Sequence, residues 1–217
     1  MNHRLWLGGA LAALAAIAGA APGMTFAPGA ILDWESHSFE GQTRYELVGT
    51  DQGEAIHARC EGASASGLFR RETVNLKKTP VIEWRWRVDE PINAGDETRK
   101  SGDDFAARIY AVDEYSYLRW RTRAISYVWA SEQPAGSAWE NPHQSRAHMV
   151  AVASGSPEKG DDGWRTQRRN LREDFSRFHD RDLEEINVIA IMTDCDDTGE
   201  STEAWYGDIR FLPADGG

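Results

Sequence analysis

Short segments with strand-like patterns recur about every ten residues from Ile31 onward, with turn residues between them. In the clearest segment, residues 81–88, apolar side chains (Ile82, Trp84, Trp86, Val88) alternate with charged ones (Glu83, Arg85, Arg87). Alternation with period two places the two sets on opposite faces of a strand. Many short strands at this spacing predict a β-sandwich or a β-barrel.

A single short helix is predicted near the end of the chain. Asn170 is a suitable N-cap, and Glu173 follows it at the spacing of a capping box. Leu171, Phe175 and Phe178 then fall on one stripe of a helix. We expect this helix to pack on the sandwich without forming a layer of its own.

The N-terminus has the pattern of an export signal. A basic start precedes an apolar run over residues 5–17, and small residues at 18–20 provide a cleavage site. That run is shorter than the ~20 residues a membrane span needs. We therefore expect a signal peptide over residues 1–20, a flexible leader over 21–30 and one domain over 31–213. The mature chain is expected to be periplasmic or secreted without a membrane span; an uncleaved anchor is the alternative.

The charge balance narrows the class of partner. Lys and Arg number 24 and Asp and Glu number 35, which gives a net charge of −11. A globally acidic surface argues against nucleic acid or an anionic membrane as the main partner. The partner that we expect from other features of the sequence is a glycan or a similar polar small molecule.

The two cysteines leave their pairing open. Cys60 shares parity with Ile56 and Ala58, which predicts that it faces inward. Cys195 lies in an acidic loop, so a disulfide requires that loop to lie over the strand of Cys60. An exported protein permits the bond, and two free thiols are the alternative.

Residues 187–212 are predicted to form a final hairpin with an acidic loop at its tip. Asp194, Asp196 and Asp197 lie in that loop, and Asp104 starts another strand. Oxygen ligands of this kind favour calcium over zinc, so the four residues are candidate Ca²⁺ ligands. The alternatives are a solvated turn, because Asp, Thr and Gly are good turn formers, and catalytic carboxylates.

A second candidate site consists of arginines on strands. Arg85 and Arg87 share one strand face, and Arg108 and Tyr110 share a face of another strand. If the two faces coincide, they form a platform that binds carboxylates of a ligand. Further candidates for ligand contact, in or next to loops, are Trp120, Trp139 and Trp164. The alternative is an outward ladder of salt bridges.

The sequence contains only a weak pattern of candidate catalytic residues. His148 lies on a predicted strand and is a candidate general base, with Tyr110 or Tyr127 as acid and Arg108 as charge neutraliser. That trio fits β-elimination of a uronic-acid polymer. A structural role for His148 is the alternative.

Several motifs in this order resemble one protein family. They are WRWRV, GDDFAARIYAV, ISYVWA, RRNLREDF and IAIMTDCDDTGESTEAWYGDIRF. Over roughly residues 67–212, the chain resembles the bacterial family described as domain of unknown function 3047. The family more often has Thr where Cys195 stands, which counts against a disulfide shared by the family. The resemblance implies an exported β-sandwich like a carbohydrate-binding jelly roll and supplies no activity.

Together these patterns predict an all-β fold, a jelly-roll-like sandwich of two antiparallel sheets with one short helix. The leading function is an exported glycan-binding protein with a structural calcium site. A polysaccharide lyase or hydrolase on the same scaffold is the first alternative, and a structural or partner-binding envelope protein is the second.

Overall fold

The computed structural model describes residues 23–214, and the predicted signal peptide over 1–20 lies outside the described residues. The described chain is folded mainly as β-structure. Its strands are β1 (Met24–Phe26), β2 (Glu35–Glu40), β3 (Arg44–Thr50), β4 (Gly53–Cys60), β5 (Ala65–Asn75), β6 (Val81–Arg87), β7 (Arg108–Asp113), β8 (Arg123–Ala130), β9 (Ala138–Glu140), β10 (Ala147–Ser154), β11 (Trp164–Asn170), β12 (Glu185–Asp194) and β13 (Thr202–Leu212). Its α-helices are α1 (Pro28–Leu32) and α2 (Leu171–His179).

The strands form two sheets. The first sheet has the order β11-β6-β13-β4-β3, with β1 also paired to β13. The second sheet has the order β2-β5-β12-β7-β8-β10-β9. Within the described part of the chain, β8 and β10 run parallel and the other neighbours run antiparallel. The predicted two-sheet sandwich is confirmed.

Aromatic side chains fill the space between the sheets. Trp84 of β6 lies 5.2 Å from Tyr127 of β8, and Trp86 lies 6.0 Å from Trp129, measured between ring centres. All four rings are buried. As the alternation predicts, this leaves the charged set of β6 on the outer face of the first sheet.

The predicted final hairpin is wrong. β12 lies in the second sheet and β13 in the first, so the acidic loop crosses from one sheet to the other. A β-bulge between Tyr206 and Ile209 also shifts the register of β13. Tyr206 and Ile209 are therefore both buried, although strict alternation would put them on opposite faces.

The described part of the predicted flexible leader is ordered instead. Met24–Phe26 pairs with β13, and Ile31 of α1 is fully buried. The ring of Phe26 lies edge-on to Trp34 at 5.3 Å and to Phe211 at 6.4 Å. The Pro/Gly/Ala-rich composition is typical of a flexible leader, but strand pairing with β13 and the burial of Phe26 attach the segment to the core.

The predicted helix corresponds to α2. The side chain of Asn170 accepts hydrogen bonds from the backbone N–H groups of Arg172 and Glu173, and Asp180 ends the helix in a left-handed conformation. Helix α1 and strands β9 and β11 were not predicted. Strand β11 is polar at nearly every position, so it lacks the alternation by which strands are recognised. Among the described residues, no helix has the length and apolarity needed to cross a membrane.

The two cysteines form a disulfide across 135 residues of sequence, with an S–S distance of 2.15 Å. Both residues are fully buried, beside Ile92 and Ala94. The bond joins the end of β4 to the acidic loop, which is the arrangement that the sequence left open. It thereby fixes the start of the crossing between the two sheets.

Removal of this bond is expected to destabilise the protein. A cross-link across a loop of this length reduces the entropy of the unfolded chain and stabilises the folded state by about 4–5 kcal/mol. Urea unfolding of the Cys60→Ala/Cys195→Ala variant should show a loss of this size relative to the oxidised wild type. Wild type with a reducing agent is the control, and an unchanged unfolding midpoint in both samples contradicts the prediction.

Candidate functional site

A buried ion pair holds the acidic loop against the second sheet. Arg108 of β7 faces outward from that sheet but is only 2% exposed, because the segment before β7 and the acidic loop cover it. Its guanidinium binds both carboxylate oxygens of Asp194 and the backbone carbonyl of Asp103. A further N–H donates to the hydroxyl of Tyr110 at 3.2 Å. Arg108 and Asp194 therefore pair with each other inside the protein.

The carboxylates beside this pair form two groups that could hold a metal ion. One group is Asp104, Asp196 and Asp197, and the other is Asp103, His143 and Asp197. Within each group, the ligand atoms lie within 4.8 Å of one another. Burial first, and then the charges of Asp104 and Asp197, raise the pKa of Asp196. Three of the four predicted calcium ligands are thus brought together.

Asp194, the fourth predicted calcium ligand, lies outside both groups. One carboxylate oxygen accepts the Nε–H of Arg108 at 2.8 Å and the backbone N–H of Phe105 at 3.1 Å. Burial raises the pKa of Asp194, and the charge of Arg108 opposes that effect. Asp194 stabilises a buried guanidinium, which is the correction to its predicted role.

The predicted arginine platform does not assemble. Arg85 and Arg87 face outward from the first sheet, whereas Arg108 and Tyr110 lie on the outer side of the second. The whole core separates the two pairs, and Arg108 is buried. Prediction from strand parity alone could not tell which strands share a sheet.

The predicted catalytic trio is also divided. His148 pairs in register with Ile125, so it shares the inward face of the second sheet, whereas Tyr110 and Arg108 lie on the opposite face. The imidazole stacks on Phe178 of α2 at 5.5 Å, and its Nδ1 has no hydrogen-bond partner among the described residues. Burial lowers the pKa of His148. This environment corresponds to the structural alternative.

A row of aromatic and charged side chains crosses the outer face of the first sheet. Cross-strand register places Trp164 of β11, Arg87 of β6, Trp205 of β13 and His57 of β4 side by side. The guanidinium of Arg87 lies 4.5 Å from the centre of the Trp205 ring, and His57 stacks on the same ring at 4.5 Å. Two strand spacings, about 10 Å, separate the two tryptophan positions.

Arg85 lies beside this row without a counter-ion. Its guanidinium lies 4.8 Å from the centre of the Trp164 ring. Gly207 leaves room for it, because a Cβ there would lie 3.0 Å from the Nε atom of Arg85. That Nε is buried without a hydrogen-bond partner, and no carboxylate pairs with Arg85 among the described residues. By contrast, Arg87 pairs with Asp89 and Arg210 with Asp208.

Trp164 and Arg87 of the row, together with Arg85, line the floor of a groove. Two depressions of about 440 and 310 Å³ share Gln52, which lies in the turn between β3 and β4. The amide of Gln52 donates to Asp162 of the opposite loop at 3.2 Å and so narrows the groove. Other lining residues are Asp51, Glu83, Asp89, Glu158, Asp161, Thr166, Asp208 and Arg210. We name this feature the first-sheet groove.

Only part of this groove was predicted. Arg85 and Arg87 were candidate ligand contacts, and Trp164 was a candidate loop tryptophan. Gln52 and Thr166 were missed, because a turn residue and an unpredicted strand gave no signal. Trp120, also a predicted contact, lies apart in a short 3₁₀ turn between β7 and β8 and is 66% exposed.

Comparisons with known proteins concern the family and the fold. A family model described as "Protein of unknown function (DUF3047)" matches residues 32–210. No curated protein matches the chain. The family 11 carbohydrate-binding module of a Clostridium thermocellum cellulase is 13% identical, with a TM-score of 0.48, over 90% of this chain and 97% of that chain. A xylan-binding module, CBM86 from Roseburia intestinalis, is 9% identical, with a TM-score of 0.37, over 90% and 98%.

The pairing of Arg108 with Asp194 gives a testable expectation. Arg108→Met and Asp194→Asn each leave a buried group without its counter-charge, and each should lower the free energy of unfolding by about 3–5 kcal/mol. The double variant removes both charges, so its loss should be clearly smaller than the sum of the single losses. Urea unfolding of all four proteins measures this coupling. Additive losses would show that the two side chains do not stabilise each other.

Proposed function

Because the chain belongs to the DUF3047 family, whose function is unknown, we propose a function from its own geometry: it binds a glycan or a similar polar ligand in the first-sheet groove. The groove combines hydrogen-bonding groups of both charges with the partly exposed indole ring of Trp164. Amphipathic rings of this kind suit ligands that have both apolar and polar faces, as sugars do. Carboxylates, guanidinium groups and an amide suit neighbouring hydroxyls, since they supply acceptors and donors together.

The observation that carries the proposal is the environment of Arg85. A guanidinium held between an indole ring and a glycine has lost most of its conformational freedom before any ligand arrives. Its lack of a carboxylate partner leaves donors available to a ligand. The neighbouring arginines of the groove lack this availability, because they bind adjacent carboxylates.

The state of the carboxylates favours binding over hydrolysis. A glycosidase needs one carboxyl group that stays protonated to act as a general acid. In the groove, hydrogen bonds from Arg165 lower the pKa of Asp161 to about 2. Asp89 and Asp208 each form an ion pair with an arginine of the groove. These groups therefore serve as acceptors for hydroxyls.

Substitutions at the floor of the groove test this function. Arg85→Ala and Trp164→Ala should each weaken binding at least about tenfold, since each removes a preorganised contact of more than about 1.4 kcal/mol. Affinity electrophoresis against soluble neutral and acidic polysaccharides, followed by calorimetry on those retained, measures the loss.

The matched control for this test is Arg99→Ala. Arg99 pairs with Asp96, is 77% exposed at its side chain and lies outside the groove. Its substitution should leave the affinity unchanged. The proposal is contradicted if no polysaccharide retains the wild type, or if the groove variants bind as the wild type does.

We also propose that Asp104, Asp196 and Asp197 bind calcium. Three carboxylates in one small group repel one another, and a hard divalent cation with oxygen ligands relieves that repulsion. Asp104 orders the loop as well, because its oxygens accept the backbone N–H groups of Asp197 at 3.2 Å and Thr198 at 2.6 Å. Bound calcium would join the segment before β7 to the acidic loop.

A thermal melt in calcium and in a chelator tests the ion site. With calcium at about 100 times its Kd, binding stabilises the folded state by about 2.7 kcal/mol, which raises the Tm by roughly 5–10 °C. Asp196→Asn/Asp197→Asn should abolish the difference between the two conditions. Glu200→Gln, in the same loop but outside the ligand groups, is the control. Equal Tm values for the wild type in both conditions argue against a stabilising calcium site.

We propose a location outside the cytoplasm, periplasmic or secreted. The buried disulfide supports it, because such bonds persist in oxidising compartments and are rare in the cytosol. The export-like pattern of residues 1–20 supports it as well. Protein isolated from its source with both thiols free would contradict this location.

A further inference from the structure

A second surface exposes apolar side chains. It belongs to the second sheet, whereas the groove lies on the first. The connection between β7 and β8, residues 114–122, which we name the aromatic loop, presents Tyr117, Leu118 and Trp120 with exposures of 100%, 42% and 66%. The other large exposed apolar residues among those described, Phe39 and Leu47, lie singly on separate strands. Single exposed apolar residues are ordinary, but a cluster at one tip indicates an interaction site.

The aromatic loop has a defined shape. The hydroxyl of Thr122 accepts the backbone N–H of Tyr115 at 3.0 Å and closes the base of the loop. Asn187 of β12 accepts the N–H of Glu114 at 2.8 Å and anchors that base to the second sheet. A backbone hydrogen bond of 2.7 Å from Arg121 to Leu118 forms the 3₁₀ turn at the tip. The exposed rings are therefore presented on a fixed backbone.

Arginines without an ion-pair partner lie in the aromatic loop and on or beside the strands next to it. No carboxylate pairs with Arg119, Arg121, Arg123 or Arg146 in the part of the chain that the structure describes. Arg121 lies over the ring of Tyr115 at 4.8 Å, and Arg123 donates to the carbonyl oxygen of Trp120. These contacts hold the arginines in place without neutralising them.

The two acids at the base of the loop form their ion pairs with other arginines, although the charge of Asp113 also acts on Arg121 and Arg123. Asp113 pairs with Arg181 at 3.5 Å, and Glu114 pairs with Arg71 at 3.1 Å. Burial first, and then the charges of Arg181 and Arg146, lower the pKa of Arg123. The surface around the loop is therefore locally cationic, although the whole chain carries a net charge of −11.

We propose that the aromatic loop docks on the surface of an anionic lipid bilayer. Trp and Tyr favour the interface between headgroups and acyl chains, and Leu118 between them favours the acyl region. Each nearby Arg adds about 1 kcal/mol of attraction to an anionic leaflet. A soluble anionic polymer would satisfy the arginines but would leave the apolar tip in water. The arrangement of charge beside an apolar tip thus fits a bilayer better.

Flotation with lipid vesicles tests the proposal. Wild type should float with vesicles of 30% phosphatidylglycerol in phosphatidylcholine, should float less in high salt, and should stay behind with pure phosphatidylcholine. Trp120→Ser should weaken partitioning about tenfold or more, since burial of a large apolar side chain is worth about 1.5–3 kcal/mol. Arg119→Gln/Arg146→Gln should weaken flotation with the anionic vesicles and make it less dependent on salt.

Phe39→Ser is the matched control, because Phe39 is an aromatic residue that is 72% exposed on edge strand β2. It should float as the wild type does. Brominated lipids supply a readout of depth: they should quench the fluorescence of the wild type more than that of Trp120→Phe. Circular dichroism of each variant confirms that the fold is retained.

Three results would each overturn the proposal. They are no flotation of the wild type with anionic vesicles, equal flotation with both kinds of vesicle, and unchanged flotation of Trp120→Ser. Loss of self-association by Trp120→Ser in analytical ultracentrifugation, without any vesicle binding, would instead assign the loop to a contact between copies of the chain. Retention on heparin that depends on Arg119 but not on Trp120, again without vesicle binding, would assign it to a soluble polyanion.

Discussion

The pairing of Arg108 with Asp194 inside the protein determines how the chain passes from one sheet to the other. A buried guanidinium is costly unless a carboxylate neutralises it, so the end of β12 must lie against β7. From that point the acidic loop crosses the edge of the sandwich, and the Cys60–Cys195 bond fixes its start beside β4. Strand β13 consequently enters the first sheet between β6 and β4. The groove depends on this crossing, because β13 contributes the lining residues Asp208 and Arg210 and the space at Gly207.

The alternation of apolar and polar residues predicted where the strands lie, but it did not predict which strands pair with one another. The inward face of β6, the cap of α2 and the inward position of Cys60 follow from side-chain period and local hydrogen bonding, which sequence neighbours determine. The crossing from β12 to β13 depends on a contact between residues 86 positions apart, so adjacency in sequence predicted a hairpin instead. The bulge at β13 and the polar edge strand β11 break the alternation itself. The predicted arginine platform was wrong for the same reason, since its residues lie on strands of different sheets, on opposite sides of the core.

Net charge proved a poor guide to local charge. Most arginines of the groove bind a neighbouring carboxylate, and the acidic loop concentrates much of the negative charge at one end of the sheets. What distinguishes Arg85 and the arginines of the aromatic loop is the lack of an acidic partner in the described chain. Unpaired, partly buried cations cost stability, and proteins tolerate that cost where a ligand restores the missing interaction. The net charge of the whole chain, −11, does not distinguish arginines that have an acidic partner from those that lack one.

The two proposed surfaces belong to different sheets and are built differently. In the groove, strand register fixes each side chain, and walls from the β3–β4 turn and the loop before β11 limit the size of the ligand. The aromatic loop has no walls and presents its rings outward. A walled, polar floor suits one chain of a hydrated polymer, whereas an open, apolar tip suits an extended surface. Because no residue is shared between them, occupation of one surface leaves the other free, and a protein attached through the loop would still present its groove to a polysaccharide.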